Sequence, residues 1–330
     1  NPTNSDLFEG VVINKMLVKT SFKFLEAEKW FDTGNTTELL KAQSHFKTGL
    51  QVLDKKNESV YLFEDFVIKF FHDKKTNNDR VERAKILKGI VPEILGTSEN
   101  FYKYKKNKST LFSHIVTENS FRELLGWATA NLWTTDNTES IKEECKYFYL
   151  NKTQERVDKF LKNKKDEATR INGVTLPPIK ELLSKIDEEW LCEGRKSPFH
   201  GDFILDNILY NGRGFCLLDW RQDFAGELRF GDLYYDLAKL NHNLTVNHDI
   251  VDRGLFNHSP QECHILCNTT LLRCKSILKD FVLQNNLDYK KVEVLTSLIW
   301  INMSPLHEYP FNKFLFNFGK LNLHNSLHND

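Results

Sequence analysis

The sequence predicts an α+β fold, with strands near the N-terminus and helices in the rest of the 330-residue chain. Short apolar runs separated by polar turns, which are typical of strands, dominate the first hundred residues. From Ser120 onward, apolar residues recur mostly every three or four positions, as on the buried face of a helix. We place the boundary at residue 98, which gives a strand-rich lobe over 1–98 and a helical lobe over 99–330.

Length and composition are those of an ordinary folded chain. The chain is long enough for one large or two ordinary domains. Its 45 Lys and Arg balance 45 Asp and Glu, so no excess charge indicates a nucleic acid or an anionic membrane as partner. No apolar run approaches the roughly 18 residues of a membrane span, and the first residues do not look like a signal peptide. We expect a cytoplasmic protein of unknown oligomeric state.

The six cysteines do not predict a disulfide framework in a chain of this length. Cys263, Cys267 and Cys274, with His264 beside them, admit two interpretations. Their spacing places the thiols on one face of a helix that we expect over 262–284, whereas zinc ligands usually come in pairs two to four residues apart on turns. We favour buried helix positions over a metal site.

The strand-rich lobe is predicted from local patterns. We expect a hairpin within 8–24, helices over 25–31 and 37–46, and strands over 49–53 and 60–63. The clearest strand of this half is 66–71, and a helix over 78–87 follows it. Lys69 stands inside that apolar strand, as either an outward-facing side chain or a functional cation.

The most informative stretch is 197–240. Within it, 208–210 and 215–218 are short apolar runs on either side of an Asn-Gly turn signal, which predicts a hairpin. Asn207 precedes the first strand and Asp219 follows the second, so both side chains are expected at the same end of the hairpin. Amide and carboxylate oxygens suit Mg²⁺, and we therefore predict a magnesium site that holds a polyphosphate.

Further aspartates surround this hairpin. Asp202 lies on the preceding loop, where it is placed to accept a proton from a hydroxyl group. Asp232 and Asp236 follow the hairpin. For Asp206 and Asp236, capping of a turn or a helix is at least as good an interpretation as a role in a site.

Three elements follow one another in this stretch. In chain order they are His200-Gly201-Asp202 with Asn207, then Asp219, then Gly231-Asp232 with Asp236-Leu237-Ala238. Together they resemble the motif of the aminoglycoside phosphotransferase and choline kinase superfamily. They look most like kinase-like proteins from bacterial capsule and lipopolysaccharide gene clusters. The resemblance implies a bilobal protein-kinase-like fold with ATP and Mg²⁺ in the cleft.

The resemblance assigns a role to each matching residue. Asp202 would be the catalytic base or would orient the acceptor hydroxyl. Asn207 and Asp219 would be the Mg²⁺ ligands. His200 would brace the catalytic loop, and Asp232 would help to hold the backbone of that loop.

On the nucleotide side, the resemblance implies an ion pair that holds the α- and β-phosphates. Lys69 with Glu82 on the following helix is the favoured pair, because it leads directly into a Val-Pro stretch that also matches the superfamily. Lys19 with Glu26 or Glu28 is an alternative.

The adenine would meet the hinge between the lobes. Tyr102, Lys103 and Tyr104 lie on the strand that we expect to run into this hinge. In the superfamily it is the hinge backbone that contacts the adenine. The chain departs from protein kinases in having no glycine-rich loop between residues 49 and 61, so the loop that covers the phosphates is unassigned.

The resemblance implies transfer of a phosphoryl group from ATP to a hydroxyl group of a small molecule. A sugar or polyol of surface polysaccharide synthesis is the expected acceptor. An amino-alcohol such as choline or an aminoglycoside is an alternative, with Asp223, Glu227 and Asp236 as candidate carboxylates for its charge. Arg221 and Arg229 favour an anionic or neutral acceptor instead.

Two other functions are weighed against a small-molecule kinase. A non-catalytic nucleotide-binding scaffold would have no physical need for Lys69, Asp202, Asn207 and Asp219 together. A protein kinase of the regulated type carries Arg where this chain has Gly201, and it has an activation segment that is not evident between 219 and 231.

Overall fold

The computed structural model describes residues 51–55, 57–134, 139–163, 168–259 and 261–328, together with Lys15, Met16, Val18 and Ala42. Apart from those four residues, the predicted hairpin within 8–24 and the predicted helices over 25–31 and 37–46 lie outside the described residues. The same is true of the alternative pair of Lys19 with Glu26 or Glu28.

Five strands near the N-terminal end of the described chain form one antiparallel sheet. They are β1 (Gln51–Asp54), β2 (Glu58–Leu62), β3 (Phe66–Phe71), β4 (Ile94–Thr97) and β5 (Phe101–Lys105). Their spatial order is β1-β2-β3-β5-β4. The predicted strand 66–71 is confirmed as β3. The sheet continues to Lys105, past the predicted lobe boundary at residue 98.

Helix α1 (Lys74–Ile86) connects β3 to β4 and packs on the sheet. It begins four residues before the predicted start, because Asp73 caps it. The Asp73 carboxylate accepts hydrogen bonds from the backbone N–H groups of Lys75 and Thr76, at 3.2 and 3.0 Å.

The rest of the described chain is mainly helical, as predicted. Its helices are α2 (Phe112–Ile115), α3 (Glu118–Asn131), α4 (Lys142–Lys146), α5 (Lys152–Asn163), α6 (Ile179–Ser184), α7 (Glu188–Cys192), α8 (Leu233–Asn243), α9 (His248–Asp252), α10 (Thr269–Gln284), α11 (Tyr289–Met303) and α12 (Phe311–His328). A π-helical turn, Tyr147–Asn151, joins α4 to α5. Helix α11 lies at the centre of this part and packs on α8 and α12. None of the described helices is long and apolar enough to cross a lipid bilayer.

Short strands occur between these helices. They are β6 (Thr110–Leu111), β7 (Arg170–Ile171), β8 (Val174–Thr175), β9 (Lys196–Ser197), β10 (Ile208–Tyr210), β11 (Phe215–Leu217), β12 (Gly231–Asp232), β13 (Phe256–Ser259) and β14 (Glu262–Ile265). Strands β10 and β11 are the predicted hairpin, and β6 pairs with β10 at its edge. The pairing of β9 with β12 places Ser197 opposite Gly231. The start of the stretch 197–240 is thereby held beside the start of α8.

The predicted helix over 262–284 is wrong at its beginning. Residues 262–265 pair with β13 as a hairpin, and α10 begins only at Thr269, where Asn268 caps it. Cys263 and Cys274 therefore lie on different elements, both buried. Within the described ranges, no group of three or more His, Cys, Asp or Glu could hold a metal ion.

Candidate active site

The hairpin of β10 and β11 brings Asn207 and Asp219 together. Ile208 pairs with Leu217, and the N–H of Leu218 donates to the backbone oxygen of Asn207 at 2.7 Å. Asp219 follows with a left-handed φ of 57°. Both side chains leave the hairpin at the same end, as the turn signal predicted. Their role as metal ligands stays a prediction.

Asp202 lies on the loop before β10, called the Asp202 loop (residues 199–207), and two side chains hold it. Asn207 Nδ2 donates to the backbone oxygen and to Oδ2 of Asp202, each at 3.0 Å. Lys239 Nζ, from α8, lies 2.7 Å from Asp202 Oδ1. Burial acts to raise the pKa of Asp202, but the charge and hydrogen bond of Lys239 outweigh it and hold the pKa below its usual range. The carboxylate is therefore ionised at neutral pH.

His200 is fully buried and links the Asp202 loop to the hairpin. Its Nε2 lies 2.7 Å from the backbone oxygen of Leu218, and the N–H of Asp202 donates to its Nδ1 at 3.2 Å. Burial lowers the pKa of His200 to about 4, so the ring is neutral and carries its proton on Nε2. These contacts fit the bracing role that the resemblance implies for His200.

Asp236, and not Asp232, binds the backbone of the Asp202 loop. Its carboxylate accepts hydrogen bonds from the N–H groups of His200 and Gly201 at 2.8 and 2.7 Å. The indole N–H of Trp133 is a third donor, at 3.1 Å. Asp232 instead caps α8. The contact predicted for Asp232 is made by Asp236 because α8 begins at Leu233, which places Asp236 in the first turn of the helix and against the loop.

Lys69 faces inward from β3 and meets Asp219. It is 3% exposed, and its Nζ contacts Asp219 Oδ1. Arg80 Nη1, from α1, lies 3.6 Å from the same oxygen. Burial, and after it repulsion from Arg80, lowers the pKa of Lys69, whereas Glu58 acts in the opposite direction. Two basic side chains therefore flank Asp219.

Glu82 does not form the predicted ion pair with Lys69. Its side chain is 53% exposed and lies 2.6 Å from Lys85 Nζ. The reason is the orientation of α1: the helix buries Asn77, Arg83 and Ala84, so Glu82 lies on the solvent side. In the described chain, Lys69 pairs with Asp219 instead.

Arg83 joins α1 to the Asp202 loop. Its guanidinium is fully buried and stacks over the ring of Phe199, with 3.8 Å from Cζ to the ring centroid. It donates to four backbone oxygens, those of Phe199, His200, Arg221 and Leu228. Burial lowers the pKa of Arg83 to about 9, so the side chain is still charged at neutral pH.

The predicted hinge residues lie on β5. Tyr102 and Tyr104 are buried in the core, where Tyr102 stacks on Trp220 at 5.9 Å between ring centroids. Burial raises the pKa of Tyr102 to about 12. Lys103 points to the other face of the sheet and lies 3.7 Å from the ring centroid of Phe66. Any contact of these three residues with a nucleotide is therefore expected from the backbone.

Comparison with known proteins bears on the same stretch of the chain. Residues 130–258 match the family described as "Phosphotransferase enzyme family", and this match includes the Asp202 loop, the hairpin and α8. The chain is a kinase-like phosphotransferase. No curated protein sequence shows significant similarity to this phosphotransferase.

Solved structures that resemble this phosphotransferase at low sequence identity include another phosphotransferase and two kinases. The GDP complex of aminoglycoside 2'-phosphotransferase-IIIa is 14% identical with a TM-score of 0.50, over 89% of this chain and 97% of that one. A putative fructosamine-3-kinase from Thermobifida fusca is 12% identical with a TM-score of 0.49, over 86% and 98%. An ethanolamine kinase from Plasmodium vivax is 14% identical with a TM-score of 0.45, over 92% and 95%. The first of these confirms the protein-kinase-like fold.

Sequence reasoning missed three basic residues at the site of this phosphotransferase. Lys239 follows the Asp-Leu-Ala segment, one helical turn after Asp236, and this spacing is the signal that could have placed it beside the Asp202 loop. Arg80 and Arg83 come three and six residues after the buried Asn77, so all three lie on the same side of α1. Arginines on a helix usually face solvent, so nothing local marked Arg83 as buried or Arg80 as partly buried.

Proposed function

We propose that this phosphotransferase transfers the γ-phosphoryl group of ATP to a hydroxyl group of a small molecule, and that Mg²⁺ assists. One observation carries the proposal most directly. The ionised carboxylate of Asp202 is held by Asn207 and Lys239 beside the hairpin end that carries Asp219. A carboxylate in that position can orient an acceptor hydroxyl and accept its proton.

In the proposed reaction, the bond between the γ-phosphorus and the bridging oxygen of ATP breaks and ADP leaves. A bond from the γ-phosphorus to the acceptor oxygen forms, and the hydroxyl proton passes to Asp202. His200 and Asp236 keep the Asp202 loop in place through their hydrogen bonds to its backbone. Such positioning supplies much of the rate enhancement in phosphoryl transfer.

The polyphosphate would lie near Asp219, where Lys69 and Arg80 supply positive charge. The Asn207 amide oxygen and the Asp219 carboxylate are the kind of oxygen donors that Mg²⁺ takes, so these two residues would hold the metal. Bound there, Mg²⁺ would neutralise charge on the polyphosphate. The Asn207 amide already uses its nitrogen to bind Asp202, which leaves its oxygen for the metal.

For the acceptor, we propose a sugar or polyol of surface polysaccharide synthesis, on the basis of the motif resemblance. Because ATP is a cytoplasmic metabolite, the cytoplasm is the proposed compartment. The amino-alcohol alternative is less favourable, since Lys239 places a positive charge beside the Asp202 carboxylate.

The test is an ADP-release assay with Mg²⁺ and ATP, with GTP in parallel, against pooled sugars, sugar phosphates, polyols and amino-alcohols. Mass spectrometry identifies any phosphorylated product. Asp202→Asn is expected to abolish transfer and to keep nucleotide binding. Asp280→Asn is the matched control, because Asp280 is an exposed aspartate on α10.

Each outcome separates the alternatives. A product formed by the wild type and by Asp280→Asn, but not by Asp202→Asn, supports a small-molecule kinase and names its acceptor class. Nucleotide binding without any product favours the scaffold alternative. Unchanged turnover in Asp202→Asn would overturn the role of this carboxylate.

A further inference from the structure

A cavity of about 200 Å³ lies between the π-helical turn, α5, α8 and α11. Four of its lining side chains are cations: Lys152, Arg156, Arg221 and Lys239. Among the described residues, no carboxylate lines it. Its volume is below the roughly 300–1,000 Å³ of pockets for drug-sized ligands, which suits an acceptor of monosaccharide size.

The cavity adjoins the Asp202 carboxylate. Lys239 lines the cavity, and its Nζ is 2.7 Å from Asp202 Oδ1. Arg221 lines it as well, and the N–H of Arg221 donates to the backbone oxygen of His200 at 2.9 Å. A molecule in this cavity would therefore lie next to the proposed reaction centre.

Three of the four cations have no acidic partner in direct contact. No residue in the described ranges forms a salt bridge with Lys152, Arg156 or Arg221. Arg156 Nη1 is shielded from solvent and has no hydrogen-bond partner within those ranges. Lys152 and Arg221 both lie over the ring of Phe148, 4.3 and 4.7 Å from its centroid.

This crowding of like charges has a cost. Burial, and then repulsion from Arg221 and Arg156, lowers the pKa of Lys152 to about 7, although Asp223 acts in the opposite direction. A shielded cationic group without a counter-charge, such as Arg156 Nη1, is unfavourable unless an anion binds to it. Arg156 and Arg221 also have the planar donor groups that bind phosphate and carboxylate in a bidentate manner.

We propose that the acceptor carries an anionic group, a phosphate or a carboxylate, which binds to Lys152, Arg156 and Arg221 while its hydroxyl group faces Asp202. The inference rests on the proposed function, because it names the class of acceptor for that reaction. A cationic amino-alcohol is excluded from this cavity by charge. The apolar side of the cavity, which includes Leu295, Leu298 and Leu306, would pack against the carbon skeleton of the acceptor.

The first test measures binding without turnover. Inorganic phosphate is titrated into the wild type and the variants in a calorimeter. Arg156→Gln and Lys152→Gln are expected to weaken its binding about ten- to a hundredfold, since a hydrogen bond to a charged group contributes about 1.5–3 kcal/mol. Lys159→Gln, which removes an exposed lysine from the same helix, is expected to bind as the wild type does.

The second test compares acceptors in matched pairs. Each pair is one sugar or polyol with and without a phosphate or carboxylate, for example glycerol with glycerol 3-phosphate, or glucose with glucose 6-phosphate and gluconate. We expect product from an anionic member only, and a KM for it that rises in Arg156→Gln while kcat changes little. The phosphate and carboxylate members show which anion the cavity takes.

The two tests separate the inference from the proposed function. Product from neutral or cationic members alone would keep the kinase assignment and overturn the anionic acceptor. If the wild type binds no phosphate, or if Lys159→Gln weakens binding as much as Arg156→Gln, the cavity is not an anion site. Thermal unfolding of each variant confirms that it folds. If Arg156→Gln does not fold, Lys152→Gln decides the question.

Discussion

Lys239 Nζ lies 2.7 Å from Asp202 Oδ1, so the proposed catalytic carboxylate is paired with a cation from α8. The pair has two consequences for the reaction. It keeps Asp202 ionised, and it fixes the direction of a side chain that is partly exposed. An acceptor hydroxyl would therefore meet a carboxylate that is already oriented.

The first prediction concerns this pair. Lys239→Gln is expected to lower kcat about ten- to a hundredfold, because Asp202 loses the charged partner that orients it. In an Asp202→Asn background, the same change should have little further effect on any residual turnover, since the two residues act as one unit. The measurement is kcat for the wild type, both single variants and the double variant.

Lys290→Gln, on an exposed part of α11, is the control for loss of one positive charge. Additive effects of the two changes at 202 and 239 would show that the contact between them does not matter for turnover.

The second prediction distinguishes the observed partner of Lys69 from the one expected by resemblance. Lys69→Met is expected to weaken nucleotide binding about ten- to a hundredfold, because Lys69 is a buried cation at the proposed phosphate site. Glu82→Gln should change the affinity for nucleotide by no more than about twofold, since the exposed ion pair of Glu82 with Lys85 contributes little free energy. Fluorescence titration with a nucleotide analogue measures both. A large loss in Glu82→Gln would mean that Glu82 pairs with Lys69 in the working enzyme.

The third prediction compares two glycines with the same backbone strain. Gly201 and Gly212 have φ of 85° and 81°. A Cβ at Gly201 would lie 2.5 Å from Arg221 Cβ, whereas a Cβ at Gly212 would meet nothing within 4 Å. In both alanine variants, the left-handed backbone is expected to lower the free energy of unfolding by about 1–2 kcal/mol. Only in Gly201→Ala does overpacking lower it by about 1–3 kcal/mol more. Urea denaturation of the two variants measures the difference, and equal midpoints would contradict it.

The fourth prediction concerns pH and rests on the anion-binding cavity. The charged groups that Lys152 faces are those of Arg156, Arg221, Asp223 and Lys239. With a pKa of about 7, Lys152 is charged below this pH and neutral above it. Binding of sulfate, whose own charge is constant, should therefore weaken as the pH rises through 7. The midpoint of this loss of affinity should lie somewhat above pH 7, because the bound anion favours the charged lysine.

Lys152→Arg should bind sulfate with little change between pH 6 and pH 9, because arginine stays charged throughout this range. Calorimetry at several pH values measures both proteins. The same loss of affinity in Lys152→Arg would assign the pH dependence to another group.

Local signals predicted the centre of the site well. The Asn-Gly turn between two apolar runs was sufficient to place Asn207 and Asp219 at one end of a hairpin. The strand 66–71 was also visible as an apolar run, and the helical character of the chain after Ser120 was visible as recurring apolar positions. These features depend on residues close together in the chain, and a sequence pattern records them directly.

Features that depend on tertiary packing were missed or misassigned. Glu82 and Arg83 are neighbours in the chain, and only the packing of α1 decides that Arg83 is buried and Glu82 is not. The helix predicted over 262–284 begins as a hairpin because Glu262–Ile265 finds a partner strand in Phe256–Ser259. The cavity cations come from positions 152 to 239, and no local pattern brings them together.

Arg83 limits how the cleft can open. A swing of α1 away from the Asp202 loop would separate the guanidinium from four backbone oxygens at once. Loss of four hydrogen bonds from a charged group would cost several kcal/mol, so such a swing would be rarely populated. Helix α1 should therefore move together with the Asp202 loop as one rigid body.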